Sequence, residues 1–195
     1  MSAQPLIFWF DFASTYSYLS AERIEALCAD AGVALEWRPI LLGPVFGAQG
    51  WDNSPFNIYP AKGRYMWRDM VRLCAARGLT FQRPDPFPQN TLLAARVARA
   101  TGANPAFCRA VFQAEFQQGA QVSDPDVIAG LLSDCGLSAE LMAAAQSDAN
   151  KAGLRADVET AMALGIFGAP SFTIGEELFW GDDRLEAAIG FAAAR

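Results

Sequence analysis

The sequence predicts an α/β protein in which an all-helical insertion separates a βαβ half from a ββα half. Three observations carry this. Leu6–Phe10 is an unbroken, aromatic-rich apolar run, too short for a helix and suited to a strand buried on both faces. The stretch 90–164 is rich in alanine and has little strand character, which favours helices. After it, two short strand-like runs flank Gly175.

The elements follow in order. Asp11 to Ser14 reads as a strand end and a turn. Behind it Tyr16, Ser20, Ile24, Leu27 and Ala31 fall on one helical face at spacings of three and four, and Gly32 closes that helix. A second strand is predicted over 33–39, ended by Pro39. Strand, helix and strand have the length of a parallel crossover. The segment 43–60, rich in Gly, Pro and Asn, is predicted as loop. From Lys62 onward, Met66, Met70, Leu73 and Cys74 form a helical stripe, until the prolines of 84–88 break the chain. Asn104-Pro105 and Asp124-Pro125 each place a capping side chain before a proline suited to the first helical position. In the tail, 169–175 reads as a strand into a turn and 177–180 as its hairpin partner. Asp183 is predicted to start a last helix with Leu185, Ala188, Ile189 and Ala192 on one face. Residues 1–41 and 165–195 then make one domain and 42–164 the insertion. This element order is the thioredoxin arrangement.

Composition excludes several functions. The chain has 195 residues, 52% of them hydrophobic, which supplies one sizeable core. A net charge of −6 disfavours general nucleic-acid binding and attraction to anionic membrane surfaces. No apolar stretch approaches the roughly 20 residues of a membrane span. The opening residues 1–5 lack the basic region of a signal peptide, so a cytoplasmic protein is expected. Cys28, Cys74, Cys108 and Cys135 are far apart and form neither a C-x-x-C pair nor a zinc pattern, so buried reduced thiols are expected. The chain contains no histidine. Ser-His-Asp and Cys-His nucleophile systems are thereby excluded, as are most zinc sites.

In a thioredoxin arrangement the reactive turn joins the first strand to the first helix. Here it holds Ser14-Thr15-Tyr16-Ser17, with two serines at the spacing of two redox cysteines. By itself Ser14 reads as a helix cap. Without a cysteine at either position, dithiol–disulfide exchange is disfavoured.

The run from Phe10 to Leu19 resembles the N-terminal motif of 2-hydroxychromene-2-carboxylate isomerases, relatives of kappa-class glutathione transferases and of DsbA-like proteins. The likeness recurs at 60–65, 87–90, 167–170 and 179–185, and so spans nearly the whole chain. It implies glutathione as cofactor, a small aromatic substrate and a homodimer. It implies that Ser14 donates a hydrogen bond to the glutathione sulfur. A thiol of pKa about 8.5 is only a few per cent ionised at neutral pH, and lowering it by about two units takes roughly 2.7 kcal/mol. The resemblance further implies that Pro170 is cis, that Ala169 pairs with the cysteinyl backbone of glutathione, and that Asn53 and Lys62 hold its glycine carboxylate. It also implies that Asp183, with the Asp182 backbone, faces the γ-glutamyl end, and that Asn90 helps hold the aromatic substrate, capping of the next helix being the equal alternative for Asn90. Members usually carry Ser or Asn at the position of Asp182 and often Pro at that of Thr15. A carboxylate at 182 repels the ligand carboxylate unless it turns away. Phe46, Trp51, Phe56 and Tyr59 are candidate walls of an aromatic pocket.

The expected activity is cis–trans isomerisation of 2-hydroxychromene-2-carboxylate type substrates to trans-o-hydroxybenzylidenepyruvate through a glutathione adduct, in aromatic degradation. The alternatives are a kappa-like transferase and a non-catalytic glutathione- or peptide-binding module.

Overall fold

The computed structural model describes residues 4–195. Its centre is a four-stranded mixed sheet of order β2-β1-β3-β4, from β1 (Leu6–Phe10), β2 (Leu35–Pro39), β3 (Ser171–Ile174) and β4 (Glu177–Trp180). β1 pairs parallel with β2 and antiparallel with β3, and β3 pairs antiparallel with β4. β1 is thus an inner strand. Its alternating side chains feed two cores, Leu6, Phe8 and Phe10 on one face and Trp9 on the other. Phe8 lies against Trp37 and Phe172, and Phe10 reaches Phe12 and Phe112 at 5–6 Å between ring centroids.

The single N-terminal helix expected over 16–31 is two helices, α1 (Thr15–Ala21) and α2 (Ile24–Ala31). The chain breaks at Glu22-Arg23, where Arg23 leaves helical geometry and its guanidinium turns toward residues 182 and 186. Gly32 caps α2 in the left-handed conformation. The second strand starts at Leu35, two residues later than expected.

The predicted loop 43–60 is a correction too. It holds α3 (Leu42–Ala48) and α4 (Pro55–Ile58). Their Gly and Pro content hid them, yet Pro55 stands at a first helical position, where its missing N–H costs nothing. α5 (Pro60–Ala76) buries the expected stripe Met66, Met70 and Cys74. Then come α6 (Leu92–Ala100), α7 (Pro105–Gln118), α8 (Pro125–Asp134), α9 (Glu140–Ala145) and α10 (Asp148–Ala163). Asn104 and Asp124 cap α7 and α8 as expected, accepting from the Phe107 and Asp126 N–H groups. A 3-10 turn (Asp182–Arg184), not an α-helical start at Asp183, leads into α11 (Leu185–Ala193).

One apolar core joins the sheet, α1, α2 and α11 to α5–α8. No helix among the described residues is long and apolar enough to cross a membrane. Cys28, Cys74 and Cys108 are buried, Cys135 is half-buried, and all four are free thiols.

α4 and α5 meet at Gly63. A Cβ built there would lie 2.3 Å from the Phe56 carbonyl oxygen, a backbone atom that cannot swing aside. Gly63→Ala is expected to cost about 1–3 kcal/mol, as overpacked cores do. A thermal melt with no shift would sink that reading.

Candidate functional site

β1 ends at Phe10, and the next residues build the turn into α1. The Asp11 carbonyl accepts the Ser14 N–H at 2.9 Å, and the Asp11 carboxylate accepts the Ala13 N–H at 3.0 Å. These two bonds fix the backbone of Ser14, which caps α1. The Ser14 Oγ accepts from the Ser17 N–H at 3.1 Å and donates to the Ala169 carbonyl at 3.0 Å. The Ala169–Pro170 peptide is cis. Residues 155 positions apart therefore meet at one hydroxyl. The Ser17 hydroxyl is buried without a partner among the described residues.

Around this contact lies a cavity of about 1050 Å3. Its wall includes Ser14, Asn53, Lys62, Asn90, Ala169, Pro170, Asp182 and Asp183, the residues to which the resemblance gives a part in binding. Lys62 is exposed, with Nζ 4.8 Å above the Tyr59 ring. Asn53 accepts from the Ser54 N–H at 2.7 Å and from the Asn57 amide at 3.1 Å. Asn90 accepts the Leu92 N–H at 3.1 Å, a capping contact that leaves its amide nitrogen for other partners. Phe46, Trp51 and Phe56 line the cavity. Tyr59 stands outside this wall and serves Lys62 instead. Phe167 and Trp180, absent from the expected pocket aromatics, also line it, with ring centroids 4.8 Å apart and about half of each side chain exposed.

Asp182 is the clearest departure from a simple anion-binding wall. Its side chain is 4% exposed and turns inward. Oδ1 accepts from Ser20 Oγ at 2.9 Å and from Arg23 at 3.1 Å, and Oδ2 accepts from Arg77 at 2.7 Å. The Asp182 carbonyl accepts from Arg23 at 2.8 Å. Both carboxylate oxygens are thus paired with a guanidinium, and the side chain turns away from solvent. Asp183 points to solvent and pairs with Arg184 at 3.0 Å. Gly181, at φ +105°, turns the chain here, and its N–H donates to the Pro170 carbonyl at 2.9 Å.

Three features gave no signal in the sequence. Asp11 is buried, and besides Ala13 it accepts the Leu42 N–H at 2.7 Å and the Thr91 hydroxyl at 2.8 Å. It ties β1 to the starts of α3 and α6. Burial raises its pKa, against the lowering effect of these hydrogen bonds. Tyr16 donates to Asp69 at 3.0 Å in the cavity wall, and burial followed by that carboxylate holds its hydroxyl protonated. Glu115 on α7 is fully buried with neither oxygen partnered among the described residues. Burial, then the nearby Asp11 charge, pushes its carboxyl well above the usual range.

A family model described as a DSBA-like thioredoxin domain matches residues 5–189. A 2-hydroxychromene-2-carboxylate isomerase of Sphingobium xenophagum is 30% identical, the match covering 92% of this chain and 93% of that protein. The chain belongs to this isomerase family within the DSBA-like thioredoxin domains. A second isomerase so named, from Pseudomonas putida, is 28% identical over 94% of this chain and 93% of its own. The solved structure of a selenomethionine 2-hydroxychromene-2-carboxylate isomerase superposes with a TM-score of 0.84 at 25% identity, covering 95% of this chain and 94% of that one. A cytosolic disulfide reductase, DsbM of Pseudomonas aeruginosa, solved with GSH, shares the fold at a TM-score of 0.64 and 16% identity, covering 97% and 96% of the two chains. The turn between β1 and α1 carries serine at positions 14 and 17.

Proposed function

We propose that the chain is a glutathione-dependent isomerase of 2-hydroxychromene-2-carboxylate type substrates, acting in the cytoplasm as a homodimer in aromatic degradation. The observation that carries this is the meeting of the Ser14 hydroxyl with the Ala169 carbonyl inside one cavity. The residues fit glutathione along their length. Lys62 and Asn53 suit a terminal carboxylate at one end. The N–H groups of Asp182 and Asp183, without acceptors among the described residues, suit the γ-glutamyl carboxylate at the other. Asp183 suits the ammonium. The names of the isomerase relatives, and the GSH with which DsbM was solved, support the same reading.

When bound, glutathione would supply a thiolate that adds to the substrate double bond, so that with the hemiketal ring opened the resulting single bond can rotate, and its elimination restores the double bond as trans and regenerates glutathione. The chain's own part follows from the geometry. A ligand N–H pairing with the Ala169 carbonyl, as an added strand does, takes over the acceptor that Ser14 now uses. The Ser14 hydroxyl then turns its proton to the sulfur, while the Ser17 N–H still holds its oxygen. Phe46, Trp51 and Phe56 hold an aromatic ring by apolar contact, and the Asn90 amide can orient a carboxylate on it. Holding both molecules in one cavity supplies acceleration by proximity.

The test is turnover of 2-hydroxychromene-2-carboxylate by the purified protein, followed by absorbance with and without glutathione. Glutathione-dependent isomerisation is expected. Conjugation of electrophiles without isomerisation would move the assignment to a kappa-like transferase. Glutathione binding with neither activity would leave a non-catalytic module.

A further inference from the structure

The ionic cluster under residue 182 has no part in the chemistry described so far. It draws on four segments: Ser20 on α1, Arg23 between α1 and α2, Arg77 at the end of α5, and Glu186 on α11. Asp182 and Glu186 are balanced by Arg23 and Arg77, so these four charges cancel. Arg77 is the member of this cluster that comes from the segment 42–164, at 2.7 Å to Asp182 Oδ2. It also lines the cavity.

We infer that Arg77 is a positioning residue that sets the preference of this site for the γ-glutamyl part of its ligand, acting through the buried Asp182 carboxylate. The inference rests on the glutathione reading above. The two N–H groups offered to the γ-glutamyl carboxylate belong to Asp182 and Asp183, and the Asp182 carboxylate is attached to the same backbone. With Arg77 in place, that carboxylate is pulled inward and its charge is cancelled. Without Arg77, the four-charge cluster becomes a three-charge cluster of net −1, directly beneath an anion site. A unit charge a few ångströms away in a partly buried setting is worth kilocalories, enough to govern affinity. The 181–184 turn would also lose its tie to the end of α5. An uncharged side chain at 182 would require no such counter-charge. Arg77 is therefore matched to the aspartate of this chain.

The experiment is calorimetric titration of the full chain with two ligands, glutathione and the dipeptide cysteinylglycine, which lacks the γ-glutamyl group. The wild-type protein is expected to bind glutathione more tightly than the dipeptide. Arg77→Ala should weaken glutathione about tenfold and leave the dipeptide within about twofold. Arg77→Gln, which keeps most of the side-chain volume, should behave alike if the alanine variant folds poorly, while Arg77→Lys should retain most of the preference. In the Asp182→Asn background, Arg77→Ala should cost little, because no buried charge is left uncovered. In turnover assays the loss should fall on KM for glutathione and spare kcat.

Equal weakening of both ligands would show general damage to the fold and overturn the inference. So would an unchanged preference in both neutral Arg77 variants, or an equal cost of Arg77→Ala with Asp or Asn at 182. A wild-type protein that binds neither ligand would overturn the glutathione reading, and this inference with it.

Discussion

Ser14→Ala is expected to raise the pKa of the bound glutathione thiol by about one to two units, and to lower turnover at neutral pH by roughly ten- to a hundredfold. A hydrogen bond to a charged group is worth about 1.5–3 kcal/mol, and one pKa unit is 1.36 kcal/mol. The Ser14 oxygen is held by the Ser17 N–H, so its proton is aimed and not free to rotate toward water. Alanine removes the donor and leaves the Ala169 carbonyl free for the ligand backbone. Affinity for glutathione should fall much less than turnover. Above the raised pKa the thiolate forms without help, so the variant should recover much of its rate in alkaline buffer. The check is a pH–rate profile together with the ultraviolet absorbance of the bound thiolate. Coincident profiles for wild type and variant would remove Ser14 from the reaction.

Glu115→Met is expected to stabilise the protein, by more at pH 8 than at pH 5. The wild-type carboxyl is fully buried and unpartnered among the described residues. Such a group costs about 1–3 kcal/mol even when neutral. The pH dependence follows from its raised pKa. Below pH about 4.3 the carboxyl is protonated in both states and makes no difference. As pH rises, the unfolded chain releases this proton and the folded chain keeps it, so stability falls until the folded pKa is passed. Methionine removes that slope, and Glu115→Gln removes the slope while keeping a buried polar group. Asp11, also raised by burial, leaves a residual slope in both variants. Urea unfolding at the two pH values separates the terms. A methionine variant less stable than wild type at pH 8 would mean that Glu115 has a partner when folded.

The fold was legible because its signals are local. Leu6–Phe10 announces an inner strand by having no polar face, and Asn104-Pro105 announces a helix start within two residues. The same is true of Ser14 and Ser17, whose spacing lies inside one turn. What stayed hidden depends on segments that meet only in three dimensions. Asp182 turns inward because Ser20, Arg23 and Arg77 converge on it from three places. Asp11 looked like a strand end, yet it joins the starts of two helices some 30 and 80 residues away. α3 and α4 were masked by Gly43, Pro44, Gly47 and Pro55, residues that usually interrupt helices. Glu115 sits one and three positions from Phe116 and Phe112, on a helix that packs against α1. Only the depth of that packing makes its charge costly.

The inner position of β1 also has a consequence for synthesis. Its parallel partner, β2, is made within some 30 residues, but its antiparallel partner β3 begins only at Ser171. At about 5–20 residues per second, a ribosome needs roughly 8–30 s to travel from Phe10 to Ser171. Throughout that interval one edge of the most apolar strand in the chain is unsatisfied and open to other chains. A nascent polypeptide that stalls before Ser171 exposes that edge, and the hairpin of β3 and β4 completes the sheet and closes it.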